Sequence, residues 1–397
     1  MLFPKLPVIS KGTAATSGYY QVGSEIFNNK LEALYYASKN KQRPRWVFHD
    51  DVYGKFNWTT RPLLGLKEVY RARAQQLRDK YDYISISFSG GADSWNTLNS
   101  FLSNGIHVDE VYTRFAIDGS RRYVNANSTI KNPGNYTSEY EYAVKPVLDY
   151  VAKNFPKTKI TVDDITTDYF NEVTEDEMFR TGHFAFSGMS AKRCANQVGL
   201  DVDYTNKKVA SVRGSGKLQV FAFAGSFFTC FIDSDAWPVD SDPHLALEYF
   251  YWSPDMPEVV AVQAHTMLDY FRVRPELHHL ITPAANSIAA SVNGGNLLRT
   301  QDEALTYVYD ETVKSICYPG WDSNTFQAGK NSKVIFEREE DFWILKENST
   351  SVQSWKWAVD QFYTKLDDLA FFNPDASDTT KRALRTYISK SYRIGSI

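Results

Sequence analysis

"YISISFSGGADSWNTLNSFLSNG", residues 83–105, runs from an apolar, β-branched stretch through Ser89, two glycines and Asp93 into a segment with helical periodicity. A buried strand that ends in small residues and passes at once into a helix leaves the first helical N–H groups unpaired. They converge on one point, with the positive end of the helix dipole behind them. An anion sits well there. Gly90 and Gly91 let the backbone curl through positive φ and let a phosphate approach without meeting a Cβ. Ser89 and Ser94 add hydroxyl donors, and Asp93 beside a phosphate calls for a cation between them, which points to Mg2+.

A Walker P-loop does not fit, because it needs two glycines five apart followed by Lys and Ser or Thr, and no lysine stands in Ser89-Gly90-Gly91-Ala92-Asp93-Ser94. "GSGKL" at 214–218 has a Gly-Lys pair but ends in Leu and lacks the earlier glycine.

Outward from the turn the pattern alternates. "LKEVYRARAQQLRDK" at 66–80 predicts a helix with Leu66, Val69, Tyr70, Ala74 and Leu77 on one face, interrupted by Arg73. After it come a strand at 84–88, a helix at 95–103, a strand at 108–115, a polar loop, a helix at 138–154, a strand at 159–162 and a helix near 168–180. Strands separated by helical crossovers predict an α/β architecture, a parallel sheet covered on both faces by helices. On the N-terminal side, Ser24 is an N-cap candidate for a helix over 25–38, followed by the strand-like "WVFHDDVYGKFNW". After residue 201 the β-branched and aromatic "KKVASVRGSGKLQVFAFAGSFFTCFIDSD" predicts extended structure. Ser253-Pro254 is expected to open a helix through "PEVVAVQAHTMLDYFR", and "EALTYVYDETVKSICY" and "VQSWKWAVDQFYTKLDDLAFF" make the remainder mainly helical. The expected division is an α+β segment at 1–80, the loop-bearing domain at 81–250 and a mainly helical region at 251–397.

The 397 residues, 43% hydrophobic and 15% aromatic, suffice for a full core. A formal net charge of −3 gives no global field toward nucleic acid or an anionic membrane, so any such binding must use a local patch. Cys194, Cys230 and Cys317 are too far apart for a zinc or redox Cys-x-x-Cys pair. With no signal-like apolar core in the first 20 residues and no apolar run of membrane-spanning length, the expectation is a cytoplasmic protein with no membrane partner. The sequons at Asn57 and Asn135 are then accidental.

Ser-Gly-Gly-x-Asp-Ser between a strand and a helix resembles the PP-loop of the N-type ATP pyrophosphatases. These include the synthetase domain of asparagine synthetase, GMP synthetase, NAD synthetase, tRNA-lysidine synthetase and the sulfonucleotide reductases. All six positions match, as Ser89, Gly90, Gly91, Ala92, Asp93 and Ser94. The resemblance implies the HUP-type fold of the adenine nucleotide alpha-hydrolase superfamily, a parallel five-stranded-type sheet sandwiched by helices, with ATP and Mg2+ as cofactors. It implies that Gly90, Gly91 and the Ser94 hydroxyl bind the β,γ-phosphates, that Asp93 helps hold Mg2+, and that a substrate oxygen is adenylated as pyrophosphate leaves. The overall layout also looks like PP-loop proteins of bacteriophage, which would make the compartment a host cytoplasm.

Residue 2 is Leu rather than an N-terminal cysteine nucleophile, and the roughly 80 residues before the loop are too few for a glutaminase domain. The last cysteine is Cys317, far from the C-terminus where sulfonucleotide reductases carry theirs, and clustered zinc cysteines are missing. Cys194, flanked by Lys192 and Arg193, is the candidate thiolate for RNA thiolation, against a packed helix cysteine. What remains is adenylation of a carboxylate or amide oxygen followed by attack of ammonia or an amine. Arg213 and Lys217 in "VRGSGK" are the candidate catalytic cations, Lys217 by likeness to a Gly-x-x-x-Lys-type element of asparagine synthetase-like members. Arg121 and Arg122 are further candidates for the nucleotide or a substrate carboxylate. Weaker candidates are Asp233, Asp235, Asp240 and Asp242 for Mg2+ or an amine, His265 as a proton shuttle, and Glu248–Trp252 for stacking on a base. His278 and His279 have no companion at metal-ligand spacing.

The expected partners are ATP and a small-molecule or nucleobase substrate. A nucleic-acid modifying role, with basic segments 39–45 and 71–80 on the backbone, is the second reading and is not favoured; an idle nucleotide sensor is the third.

Overall fold

A computed structural model describes residues 18–28, 30–115, 117–118, 140–164, 202, 206–216, 218–233, 245–282, 303–321 and 387–397. At the N-terminal end, β1 (Tyr19–Val22) turns through Gly23 and Ser24 into β2 (Glu25–Phe27). Ser24 therefore sits in a hairpin turn and caps no helix. The expected helix over 25–38 is replaced by β2 and a shorter α1 (Lys30–Lys39). Gly23 adopts φ +60°, which the tight turn requires, and the pairing of Tyr20 with Phe27 and Val22 with Glu25 outweighs the local helix propensity. β3 (Arg45–Val47) completes this antiparallel sheet, and the rest of the strand-like stretch becomes α2 (Asp50–Tyr53) and a turn.

α3 (Leu66–Lys80) leads into β4 (Tyr83–Ser87), α4 (Ala92–Leu102), β5 (Glu110–Phe115), a π-helical turn at Tyr140–Val144, α5 (Lys145–Asn154) and β6 (Lys159–Asp164). β7 (Val209–Arg213) returns to the sheet, β8 (Gln219–Phe223) and β9 (Ser226–Cys230) leave it as a hairpin, and β10 (Leu245–Tyr249) rejoins it. The five strands are all parallel in the order β10-β7-β4-β5-β6. The α/β architecture expected from the alternation is what forms, with a parallel sheet of five strands. The predicted helix at 168–180 lies outside the described residues.

After the sheet come α6 (Glu258–Arg272), a 3-10 turn at Pro275–Leu280 and α7 (Glu303–Cys317). α6 starts later than the Ser253-Pro254 signal suggests, because Ser253 Oγ accepts the Asp255 N–H at 3.3 Å in a local turn and Pro257 becomes the N-cap. The chain ends in β11 (Tyr392–Ser396), antiparallel to β9, where helix was expected. The helical prediction at 351–371 lies outside the described residues. Among the described residues no helix is long and apolar enough to cross a membrane.

The two faces of the parallel sheet differ in chemistry. Ile84 and Ile86 of β4 share one face with Ala210 and Val212 of β7, and that face packs with Val69, Ala74 and Leu77 of α3 and Leu98 and Phe101 of α4, all at most 2% exposed. The register puts Ser85 beside Ser211 and Glu110, and Ser87 beside Arg213 and Tyr112, on the other face. These residues are buried as well, apart from the half-buried Ser87, and Thr161 Oγ1 donates to Glu110 Oε1. Parallel strands covered on both sides are usually continuous apolar runs. "YISIS" and "VASVR" alternate instead.

Arg73, which looked like an interruption of the α3 stripe, is fully buried and clamps helix to sheet. Its guanidinium donates to Glu248 Oε2 at 2.9 Å, to the Tyr249 carbonyl at 2.9 Å, to the Phe250 carbonyl at 3.3 Å and to Gln76 Oε1 at 2.7 Å. Glu248 also takes Lys80 Nζ at 2.8 Å and the Tyr81 hydroxyl. Burial pushes the Glu248 carboxyl up, but Arg73, Lys80 and Tyr81 together reverse this and hold it below its ordinary value.

Arg73→Met should lower the unfolding free energy by about 3–5 kcal/mol in urea denaturation, because Glu248 is left charged and under-paired. A lowered folded value means that the Glu248 contribution is present above the ordinary carboxylate range and fades as pH falls through the depressed value. Glu248→Gln should therefore flatten the acid limb of stability against pH.

Candidate functional site

β4 sits beside β7, but the chain leaves β4 toward β5 and β6, whereas from β7 it goes on to β10 on the opposite side. Where neighbouring strands send their connections in opposite directions, a crevice opens outside their carboxyl ends. Two segments border it here, 88–91 after β4 and 213–216 after β7.

The Phe88 N–H carries the pairing one rung past β4, to the Tyr112 carbonyl at 2.8 Å. Ser89 is exposed, and Gly90 then turns at φ +76°. A Cβ on Gly90 would lie 2.8 Å from Val144 Cγ2 and 3.1 Å from Ala143 Cβ, so glycine is required both for conformation and for the packing of the π-helical turn. Gly91 is the extended N-cap of α4 and has no side chain to cap it. Ser94 braces the turn in its stead: its Oγ accepts the Ser89 N–H at 3.3 Å and donates to the Gly91 carbonyl at 3.0 Å. Helical bonding begins at the Trp95 N–H, which reaches the Gly91 carbonyl at 2.9 Å. Among the described residues no acceptor takes the N–H groups of Gly91, Ala92, Asp93 and Ser94. Gly91 and Asp93 are half-exposed. Gly90, Ala92 and Ser94 are buried, but the four amides without acceptors among the described residues are the donor set that an anion uses.

Asp93 is held at both of its polar ends. Its carbonyl accepts Thr97 Oγ1 and the Tyr251 hydroxyl, each at 2.9 Å, and its Oδ1 accepts the Tyr318 hydroxyl. Asn96 Nδ2 donates to the Tyr251 oxygen at 2.9 Å, and the Tyr251 and Tyr318 rings stack with centroids 5.6 Å apart. The segment after β7 presses on the same helical turn. A Cβ on Gly214 would lie 2.6 Å from the Asp93 carbonyl oxygen and 2.7 Å from Thr97 Oγ1. Gly216, at φ +100°, lies against the Trp252 ring.

Arg213 ends β7, in register with Ser87 and Tyr249, at the same carboxyl edge as the Gly-Gly turn. It is 5% exposed, and its carbonyl accepts the Phe250 N–H at 2.9 Å. Lys217, Arg121, Arg122, Cys194, Asp235, Asp240 and Asp242 lie outside the described residues. Asp233 is a buried structural carboxylate, taking Lys30 Nζ and the Tyr20 hydroxyl at 2.7 Å and the Tyr387 N–H at 2.9 Å, which removes it from the metal candidates. Tyr249, Phe250, Tyr251 and Trp252 are core residues at most 2% exposed, so they offer no stacking face for a base. His265 is buried with Nε2 3.0 Å from the Trp58 carbonyl, and burial holds its pKa down. His278 and His279 bond to backbone carbonyls, and no group of three or more metal-ligating side chains occurs among the described residues. In the basic stretch at 71–80, Arg73, Arg78 and Lys80 are committed to Glu248, Asp109 and Asp255.

Tyr318 is a site residue that the sequence does not single out, and Tyr251 stands out in the sequence only within Glu248–Trp252, as a base-stacking candidate and not as a partner of Asp93. Tyr251 is hidden inside an aromatic run and Tyr318 follows a helix end; neither carries a local pattern, and only the distance to Asp93 in the fold reveals them. Searches against protein-family models, curated proteins and solved structures find no match for this chain.

Gly90→Ala should cost about 1–2 kcal/mol from the left-handed conformation alone, before the Val144 contact is counted. Gly214→Ala must displace backbone in the first turn of α4 and should destabilise by about 1–3 kcal/mol. Thermal or urea unfolding of the two variants checks both.

Proposed function

We propose that this chain is an ATP pyrophosphatase-type ligase of the PP-loop kind. It binds ATP with the β,γ-phosphates on the first turn of α4, a substrate carboxylate or amide oxygen takes up the AMP, and pyrophosphate leaves. Attack of ammonia or an amine on the activated substrate then releases AMP. The observation that carries this reading is the set of four N–H groups, Gly91 to Ser94, that have no acceptor among the described residues and lie at the β4/β7 crevice within a complete Ser-Gly-Gly-x-Asp-Ser motif. Counted from β4, the strand order is 3-2-1-4-5, which supports assignment to the HUP-type doubly wound folds that bind nucleotides at this crevice.

Each residue has a separate task in this reading. The amides of Gly91 to Ser94, with the α4 dipole, take the charge that grows on the departing pyrophosphate. Gly90 and Gly91 give the phosphates room. Asp93 would be the carboxylate that reaches Mg2+: Tyr318 occupies its Oδ1, and among the described residues nothing donates to its Oδ2. Such a site fits the way Mg2+ is held by one or two carboxylates together with phosphate oxygens. When bound, the ion would offset phosphate charge. Arg213 at the carboxyl edge of β7, with Lys217 four residues on, would add positive charge on the β7 side of the crevice. A small-molecule substrate is favoured over nucleic acid, since three of the four cations of 71–80, Arg73, Arg78 and Lys80, are engaged in ion pairs.

Incubation with ATP, Mg2+ and a fractionated pool of small carboxylates and amines should yield AMP and pyrophosphate, and Asp93→Asn should reduce the yield to background. ADP and orthophosphate as products would sink the reading; ATP bound without turnover in every fraction would make the chain a nucleotide sensor.

A further inference from the structure

Asp93 is the second residue of α4, on a turn whose other side chains are glycine, alanine and a serine already bonded within the loop. The contact that fixes its carboxylate comes from far along the chain. Tyr318 follows directly on α7, and its N–H closes onto the Lys314 carbonyl at 3.1 Å while its own carbonyl takes the Trp321 N–H at 3.1 Å. The residue is 2% exposed and its ring is stacked on Tyr251. A phenol so buried needs an acceptor, and it has one proton to give. That proton goes to Asp93 Oδ1. Burial first, and then the negative charge of Asp93, push the Tyr318 hydroxyl well above the ordinary tyrosine value.

The same stacked pair fixes Asp93 twice, Tyr251 at the carbonyl and Tyr318 at the carboxylate. With the backbone pinned and one carboxylate oxygen engaged, the direction of Oδ2 is set before any ligand arrives. A side chain ordered in advance loses less freedom on binding.

We propose that Tyr318 is a positioning residue for the metal of the nucleotide site: its hydroxyl holds Asp93 Oδ1 so that Oδ2 is presented to the divalent cation that accompanies the triphosphate. This rests on the ATP-binding reading above. It couples cation recognition at the α4 turn to the docking of the end of α7, with Tyr318 lying 225 residues downstream of Asp93. Tyr318 touches neither phosphate nor metal and acts through Asp93 alone.

The test is ATP binding by the full chain, measured by calorimetry in EDTA and in excess Mg2+, the ratio of the two dissociation constants being the readout. Tyr318→Phe keeps the ring and its stack and removes only the donor. It should shrink that ratio by about 3- to 10-fold, the net worth of one ordinary hydrogen bond. Asp93→Asn should shrink it further, and adding Tyr318→Phe to Asp93→Asn should change nothing more, since the two act as one unit. A folding defect, visible in the melting temperature, is bypassed by placing 3-fluorotyrosine at position 318. Its fluorine resonance should move when Mg2+ is added to the ATP complex and stay fixed when ATP is added in EDTA. An unchanged or larger ratio in Tyr318→Phe, or a fluorine signal blind to Mg2+, overturns the positioning role while leaving ATP binding intact. If the unaltered chain binds no ATP in either buffer, the ATP-binding reading itself falls, and this inference with it.

Discussion

The parallel pairing of β4 with β7, Ser87 opposite Arg213, is the constraint on which the rest depends. Two central strands lie side by side while their chains depart in opposite directions, and no helix can cover the gap at their carboxyl ends. That gap receives the N-terminus of α4. Glycine is forced at Gly214 because the segment after β7 presses on the first turn of α4, where a Cβ would meet the Asp93 carbonyl, and at Gly90 because the π-helical turn packs on it, where a Cβ would meet Val144. The site is thus a product of topology before it is a product of side-chain chemistry.

Polar groups are treated in opposite ways in two parts of the molecule. Around Arg73 four guanidinium N–H groups have acceptors, and they tie α3 to Glu248 and to the backbone of Tyr249 and Phe250 at the end of β10. At the α4 turn, four N–H groups are left without acceptors among the described residues. Leaving amides unpaired costs stability unless water or a ligand meets them, so such a turn belongs at a half-exposed crevice and not inside the core. The rigidity of the first region serves the second: Arg73 fixes the strand end from which Tyr251 and Trp252 project onto Asp93 and Gly216.

The region after β10 does more than pack against the sheet. Tyr251 and Tyr318, 67 residues apart in sequence (318 − 251 = 67), stack on each other and converge on one aspartate. The α4 turn is therefore complete only when α7 is docked, although the motif that defines it is six residues long.

The sequence by itself determined what local chemistry can determine. The spacing of small residues between a β-branched run and a helical run set the strand, the turn and α4, and the alternation of strands and helices set the parallel sheet, because both depend on neighbours a few residues apart. The polar alternation of "YISIS" was there to be seen as well, though only strand register shows that it runs across the sheet into Ser211 and Glu110. Other features were decided by tertiary structure alone. The strand at 25–27 exists because β1 pairs with it, and the one at 392–396 because β9 offers an edge. Arg73 is a core residue because Glu248 awaits it, 175 positions away. Tyr318 reaches Asp93 for a similar reason: hydrogen bonds and ion pairs act over a few ångströms of space, and the sequence does not record which distant segments the fold will bring within that range.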